Sequence, residues 1–446
     1  MRKYIRVLLA VCCLLTMIVS CSPQGPQVGG LLNRALVGNP SMLNPILSTD
    51  SASSLVEDYI YQGLIRYDEN LELVGQLAST WDISPDNLQW TFYLRQDVTW
   101  HDGRPFTAGD VEFTLATIAF DDDYPGSRWA DFERLEEIHV VDDYTIRFIL
   151  SEPWGSFLAS LRQGILPRHI YDPNLATGAD RAPVADMARH PRNWKPVGTG
   201  PYVFASWANN QYITLERNAD YYDSGPYIET VCLKFYPNTA SAIAALEGGE
   251  VDLVTDIPSE LATTLEENLM ESHHFYASQE MGYEILGFNL RPSAFDQDRE
   301  NPWLDRRVRK AVAHALNREQ YIEEILEGKG IIMNSPILPR SWAYSPDNAA
   351  EYSYDPDAAD NLLQQAGWLL DGDGLRYKGD QAFAFQLTLR EDNALEVTLA
   401  EMIRRDLAAV GLDIQINAVS WRQMLVNLYA GEFHLLLMGL SLSPDP

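Results

Sequence analysis

Residues 196 to 202 read PVGTGPY, two glycines around a threonine hydroxyl, a composition that could cradle a phosphate. Such a cradle needs backbone N–H groups gathered at a helix N-terminus, with a Lys or a third Gly at fixed spacing. Here Gly200 is followed by Pro201, which has no N–H, and then by Tyr202, Val203 and Phe204, the entrance to a strand. The 63 acidic residues make close carboxylate pairs inevitable, yet none lies in a pattern that names an acid and a base. Neither a GxSxG elbow nor an HExxH helix is present. His273 and His274 are adjacent in sequence, so their side chains point apart and make a poor metal clip. The run DGDG, Asp371 to Gly374, opens like a calcium loop, but its fifth position is Leu375 and its twelfth Ala382, which leaves a tight turn as the better account. Trp100, Trp129, Trp154, Trp342 and Trp421 stand beside turns, where a cleft would find them, although tryptophan at such places is more often structural.

The elements that would position these groups alternate between the two periodicities. Leu31 to Val37 reads as a first strand, and NPSMLNP turns the chain through proline. Asp50 to Tyr67 carries a helical apolar stripe. Leu88 to Leu94 alternates as a strand, HDG makes a turn, and Thr107 caps a helix. Strands return at 139–141 and 145–150, followed by a loop or lobe boundary over 172–196. Tyr202 to Trp207 and Tyr212 to Arg217 form a hairpin around Asn209-Asn210, with a strand at 231–236, a helix at 239–247 and a short buried strand at 251–254. Helices follow at 304–316, 319–326, 356–366 and 395–410, and strands at 383–390 and 412–419. The sum is a mixed α/β chain with several separate sheets.

A length of 446 residues predicts two or three domains, and a formal charge of -30 removes nucleic acid as a partner, because no basic patch could displace its counterions. The first twenty residues carry no acid. A basic start and an apolar run from Val7 to Val19 are too short to span a bilayer and fit an export signal. That run ends in IVSC, which resembles a bacterial lipobox, so Cys21 is expected to carry lipid after cleavage, followed by a flexible tether. Cys12 and Cys13 would leave with the signal, and Cys232 alone can form no intrachain disulfide.

A set of motifs in fixed order then points to a family. LNP (43–45), IYQGLIRYD (60–68), LASTWDISPDNLQWTFYLRQDVTWHDGRPFTAGDVEF (77–113), PVGTGPY (196–202), LERNADYY (215–222), AIAALEGGEVDLV (242–254), GFNL (287–290), DRRVRKAVAHALNRE (305–319), AGW (366–368) and DP (445–446) resemble the large extracytoplasmic solute-binding proteins of ABC importers, family 5, the group of oligopeptide, dipeptide and nickel binders. The resemblance implies an α/β, two-lobed, periplasmic-binding-protein-like clamp of the large type II class. Its expected parts are a signal peptide over 1–20, a tether over 21–30, lobe one from 31–50 and 193–272, an inserted subdomain over 51–192, and lobe two from 273–446. Members continue beyond the DP motif, so the second lobe is expected to be incomplete at its C-terminus, with apolar surface such as Leu435 to Met438 left open. The implied ligand contacts are Thr49, Asp50 and Ser51 in the first lobe, and Tyr283, Asn289 and Asp445 in the second, to which the reading of the turn-side tryptophans adds Trp421. Asp445 is then the acid expected to receive a peptide ammonium, since Leu442 stands where some members place it. The implied activity is capture of a peptide or another small solute by a monomer, without catalysis, cofactor or metal, for delivery to an ABC permease and its ATPase from a lipid-anchored position outside the cytoplasm. A secreted acidic hydrolase with a cleft carboxylate pair, or a sensor that presents ligand to a receptor, are the competing readings.

Overall fold

The computed structural model describes residues 27–126, 128–172, 174, 184–278, 280–295 and 299–441. The expected export signal, Cys21 and Asp445 lie outside those residues. The chain divides into two compact units between Ile257 and Pro258.

The main elements of the first unit are β1 (Leu31–Val37), α1 (Ser51–Ile60), β2 (Ala78–Ile83), β3 (Gln89–Leu94), α2 (Ala108–Phe120), β4 (Leu135–Asp142), β5 (Thr145–Leu150), β6 (Tyr202–Ala208), β7 (Tyr212–Arg217), β8 (Thr230–Tyr236) and α3 (Thr239–Glu247). They build two four-stranded sheets, ordered β1-β8-β7-β6 and β2-β3-β5-β4. In the second sheet, antiparallel register sets Trp90 opposite Phe148 and Phe92 opposite Ile146. Directly opposed residues share a face, so these side chains bury together. Helix α2 begins where Thr107 donates its N–H to Asp110 Oδ2 at 2.9 Å. Its Thr114 and Thr117 hydroxyls return hydrogen bonds to the carbonyls of Asp110 and Phe113, which lets two polar side chains be fully buried. The β6–β7 hairpin turns at Asn210, whose φ of 57° is a left-handed value that asparagine tolerates. Residues 251–254, expected as a strand, make only an isolated parallel bridge from Leu253 to Arg34 on the outer side of β1.

The second unit contains α4 (Ser259–Leu269), β9 (Gly282–Phe288), α5 (Arg306–Ala315), α6 (Arg318–Leu326), α7 (Pro356–Gln365), β10 (Ala384–Arg390), α8 (Ala394–Ala409), β11 (Asp413–Val419), α9 (Trp421–Ala430) and β12 (Leu435–Ser441). Its main sheet has the order β9-β12-β10-β11, with β11 and β12 parallel to β10 and β9 antiparallel to β12. Helices α8 and α9 are the crossovers that parallel strands require. The expected helix over 304–316 is divided: a 3-10 turn, Pro302–Leu304, precedes Asp305, whose carboxylate accepts the Arg307 N–H at 2.8 Å and starts α5 afresh. Leu435, Leu436 and Leu437 are buried, contrary to the expectation of open apolar surface, because β12 runs between β9 and β10. Under the sheet, Trp303 meets Phe383 and Phe385 edge-on, and Trp368 meets Phe383 likewise. The buried Arg376 donates to the carbonyls of Val410 at 2.7 Å and Trp368 at 2.9 Å and pairs with Asp360.

Candidate ligand-binding site

The glycine stretch over which the sequence raised a phosphate question holds the first unit together. A Cβ on Gly198 would lie 1.8 Å from the carbonyl oxygen of Ile60, and one on Gly200 would lie 2.6 Å from that of Tyr59. Only glycine allows the last turn of α1 to rest there. Gly200 N–H donates to the Ile60 carbonyl at 2.8 Å. His101 completes the clasp: its Nδ1 accepts from Gly198 N–H at 3.2 Å and its Nε2–H donates to the Gly200 carbonyl at 3.0 Å. Burial, which disfavours the charged ring, lowers the His101 pKa in keeping with that neutral pattern. Thr199 is 2% exposed, so it is closed to any ligand. A hollow of about 860 Å³ opens beside the clasp, lined by His101, Trp194, Lys195, Phe204 and Trp207, and none of the expected binding residues reaches it.

Thr49, Asp50 and Ser51 lie together at the start of α1. Thr49 and Ser51 are exposed, whereas Asp50 caps the helix. Its carboxylate accepts from Ser53 N–H at 2.7 Å, Ser53 Oγ–H at 2.8 Å and Ser41 Oγ–H at 2.6 Å. Partial burial would raise its pKa, but the Ser41 and Ser53 hydrogen bonds outweigh that and hold it below the usual 3.8. Behind this segment Glu57 is 4% exposed. One carboxylate oxygen faces the Ser48 hydroxyl at 2.9 Å and the other has no hydrogen-bond partner among the described residues. Burial raises its pKa to about 7, opposed by Ser48 and Arg128 and assisted by Asp58.

In the second unit the register decides which expected residues meet. Gly282 pairs with Ser441 and Tyr283 with Leu440, so the start of β9 lies beside the end of β12. Strand β10 runs parallel to β12 and finishes at Arg390, while β11 finishes just before Trp421. Tyr283, Arg390 and Trp421 therefore gather at the carboxyl end of the parallel strands, the edge at which open α/β sheets bind ligands. Trp421 is 44% exposed, and the Arg390 guanidinium lies 5.2 Å from its ring centre. Arg390 also pairs with Asp392 at 3.0 Å. Glu284, next to Tyr283, lays its carboxylate over Gly439 of β12, where an added Cβ would be 2.6 Å from Oε1. Partial burial, then Glu396 and Glu280, raise its pKa to about 7, against the pull of Arg390. Neither Arg390 nor Glu284 was among the expected residues. The signal for Arg390 was its place at the end of a strand before a capped helix, and Glu284 had none, because only pairing across the sheet shows what it covers.

Asn289 follows the other end of β9, away from this cluster. It is buried, donates its amide to the carbonyls of Gly431 at 2.8 Å and Phe433 at 2.7 Å, and accepts from Arg291 N–H at 3.1 Å. Its side chain fixes the α9–β12 loop. Of the turn-side tryptophans, Trp100 is core at 1% exposure, Trp154 packs on Phe157, and Trp129 and Trp342 are exposed outside this strand edge. Among the described residues no group of three or more His, Cys, Asp or Glu is placed to hold a metal ion.

Comparison with known proteins agrees with the resemblance read from the motifs. Residues 72–446 match the model of the bacterial extracellular solute-binding proteins, family 5. The oligopeptide-binding protein AppA of Bacillus subtilis is 30% identical over 428 residues, covering 94% of this chain and 75% of that protein. Its structure in complex with a nonapeptide superposes with a TM-score of 0.66, covering 94% of this chain and 81% of that one. NikZ from Campylobacter jejuni in complex with Ni(L-His) is 27% identical, with a TM-score of 0.65 and coverage of 93% and 78%. With its mixed α/β units and its ordered motifs, the chain belongs to family 5 of the bacterial extracellular solute-binding proteins, the substrate-binding components of ABC transporters.

Proposed function

We propose that this chain captures peptides, or a solute of similar size, outside the cytoplasm and passes them to an ABC permease and its ATPase, held near the membrane by a lipid on Cys21. The observation that carries the reading is the gathering of Tyr283, Arg390 and Trp421 at the carboxyl end of the second unit's parallel strands. An exposed indole offers an apolar surface for a side chain or peptide plane, and a guanidinium suits a carboxylate or backbone carbonyls. The similarity to AppA, whose structure holds a nonapeptide, favours peptide over other solutes. Exposed Thr49 and Ser51 are the polar groups proposed for the first lobe, with Asp50 shaping their segment and not itself contacting ligand. The inserted subdomain expected from the motifs over 51–192 is retained, supported by the sheet contained within residues 78–150, and the lobe boundary expected after residue 272 is moved to the division between Ile257 and Pro258. In a two-lobed clamp, closure is driven by the ligand's better contacts with the closed state, so binding and not turnover is the activity.

Calorimetric titration with di- to pentapeptides, sugars and nickel chelates tests this. Peptide binding is expected, and Trp421→Ala and Arg390→Ala should each weaken it by about tenfold or more without altering the melting curve. Absence of binding by every peptide, or binding by chelates alone, would remove the peptide assignment.

A further inference from the structure

We propose that the hollow beside the glycine clasp is a docking groove of the first unit, which takes an extended, acidic segment of a partner protein as an added strand on β6. The inference does not rest on the capture reading above, and every residue lining the hollow lies within the first unit.

The lining includes each residue from Val203 to Trp207. Successive side chains of a strand point to opposite faces, so a space that meets all five runs along the edge of β6 and not over one face. That edge is open, because β6 is the last strand of its sheet and pairs with β7 alone among the described residues. An unpaired edge presents a row of N–H and C=O groups, and the backbone of an extended chain is their matching partner. The groove follows β6 for roughly 16 Å, the reach of five extended residues, which suits a strand-like segment better than a compact solute.

The remaining lining sets the chemistry of that segment. Arg192, Trp194 and Lys195 are exposed there. Among the described residues, the charged ends of Arg192 and Lys195 have neither hydrogen-bond nor ion-pair partners. Asp102, the one carboxylate on the lining, is engaged by His169 Nε2 at 2.7 Å, and both His101 ring nitrogens are spent on the clasp. Two unpaired cations on a chain of formal charge -30 mark a place where an acidic segment is attracted and not repelled. The Trp194 indole, with half-buried Phe204 and Trp207, adds apolar surface, so acids alternating with apolar residues match the groove. The bulge between Phe204 and Ser206 bends β6 and confines the added strand to a short stretch.

The test uses the full chain carrying Arg390→Ala and Trp421→Ala, so that capture at the second unit's strand edge does not mask docking. The probe is an N-acetylated, C-amidated heptapeptide of alternating valine and glutamate. Backbone hydrogen exchange over residues 203–207 should slow when it is added, and its affinity should fall as salt is raised. A counterpart with lysine in place of glutamate should bind about fivefold more weakly or less, and Arg192→Glu with Lys195→Glu should weaken the glutamate probe to a similar degree. Both positions are exposed, and an unchanged melting transition would show that the variant folds. Methylating the backbone nitrogens of all valines, or of all glutamates, removes the donors along one side of the probe, and one of the two forms should no longer bind. Failure of the glutamate probe to bind, equal binding of the lysine counterpart, or binding that leaves exchange over 203–207 unchanged overturns the proposal, and leaves the bulge and Lys195 as protection of an open edge.

Discussion

Glu57 shows how a residue visible in the sequence can have a character that only its surroundings set. It stands in a helical stripe like any surface acid, but it is enclosed, with the Ser48 hydroxyl on one oxygen and no partner among the described residues on the other. Its folded pKa of about 7 lies above the usual 4.5, so the folded chain holds the extra proton between those values. Stability should therefore fall as pH rises from about 4.5 through 7, the reverse of an acid in a salt bridge. Glu57→Gln, which keeps the shape and removes the charge, should abolish that slope and raise stability at pH 8 by roughly 1–3 kcal/mol, measured by urea unfolding across pH. A slope unchanged by the substitution would show that Glu57 does not titrate in this window. Asp50 is the opposite case: its type and place before a helix were legible, and the knot it makes with Ser41 and Ser53 makes it a helix cap. Asn289 follows the same logic, since its motif was evident but the three groups consuming its amide lie at residues 291, 431 and 433.

Among the elements, the PVGTGPY segment was recognisable as a strand entrance, and β6 begins at Tyr202 as its pattern required. Neither of its glycines has a positive φ; both are needed because the carbonyl end of α1 lies against them. Such an approach between segments more than a hundred residues apart leaves no trace in local periodicity. Gly198→Ala should cost about 3 kcal/mol or more, because the new Cβ meets backbone and has nowhere to move, and thermal unfolding would measure it. A melting temperature within about a degree of the parent would show that the clasp can relax. Helix α3 matched its expected bounds because Asn238 accepts from Ser241 N–H and Gly248 follows its last residue, signals that are local. The break at Asp305 and the reduction of 251–254 to one bridge were missed because each depends on competition between local pattern and neighbours.

At the scale of the whole molecule, two separate hydrophobic cores lie within the two units, one built on Leu43, Phe92, Phe148 and Leu233, the other on Trp303, Leu387, Leu407 and Leu437. Calorimetry should accordingly resolve two transitions. Leu407→Ala should lower only one of them, by the roughly 2–5 kcal/mol typical of a buried leucine. A uniform shift of a single transition would show that the units unfold together. The sequence by itself determined the α/β class, most helices and strands, and the family, because composition, period and ordered motifs are properties of the chain read in one direction. Only the tertiary structure decided which of those residues share an edge. Strand register brought Tyr283, Glu284, Arg390 and Trp421 together and carried Asn289 to the opposite end, since pairing across a sheet depends on the complete packing of partners distant in sequence.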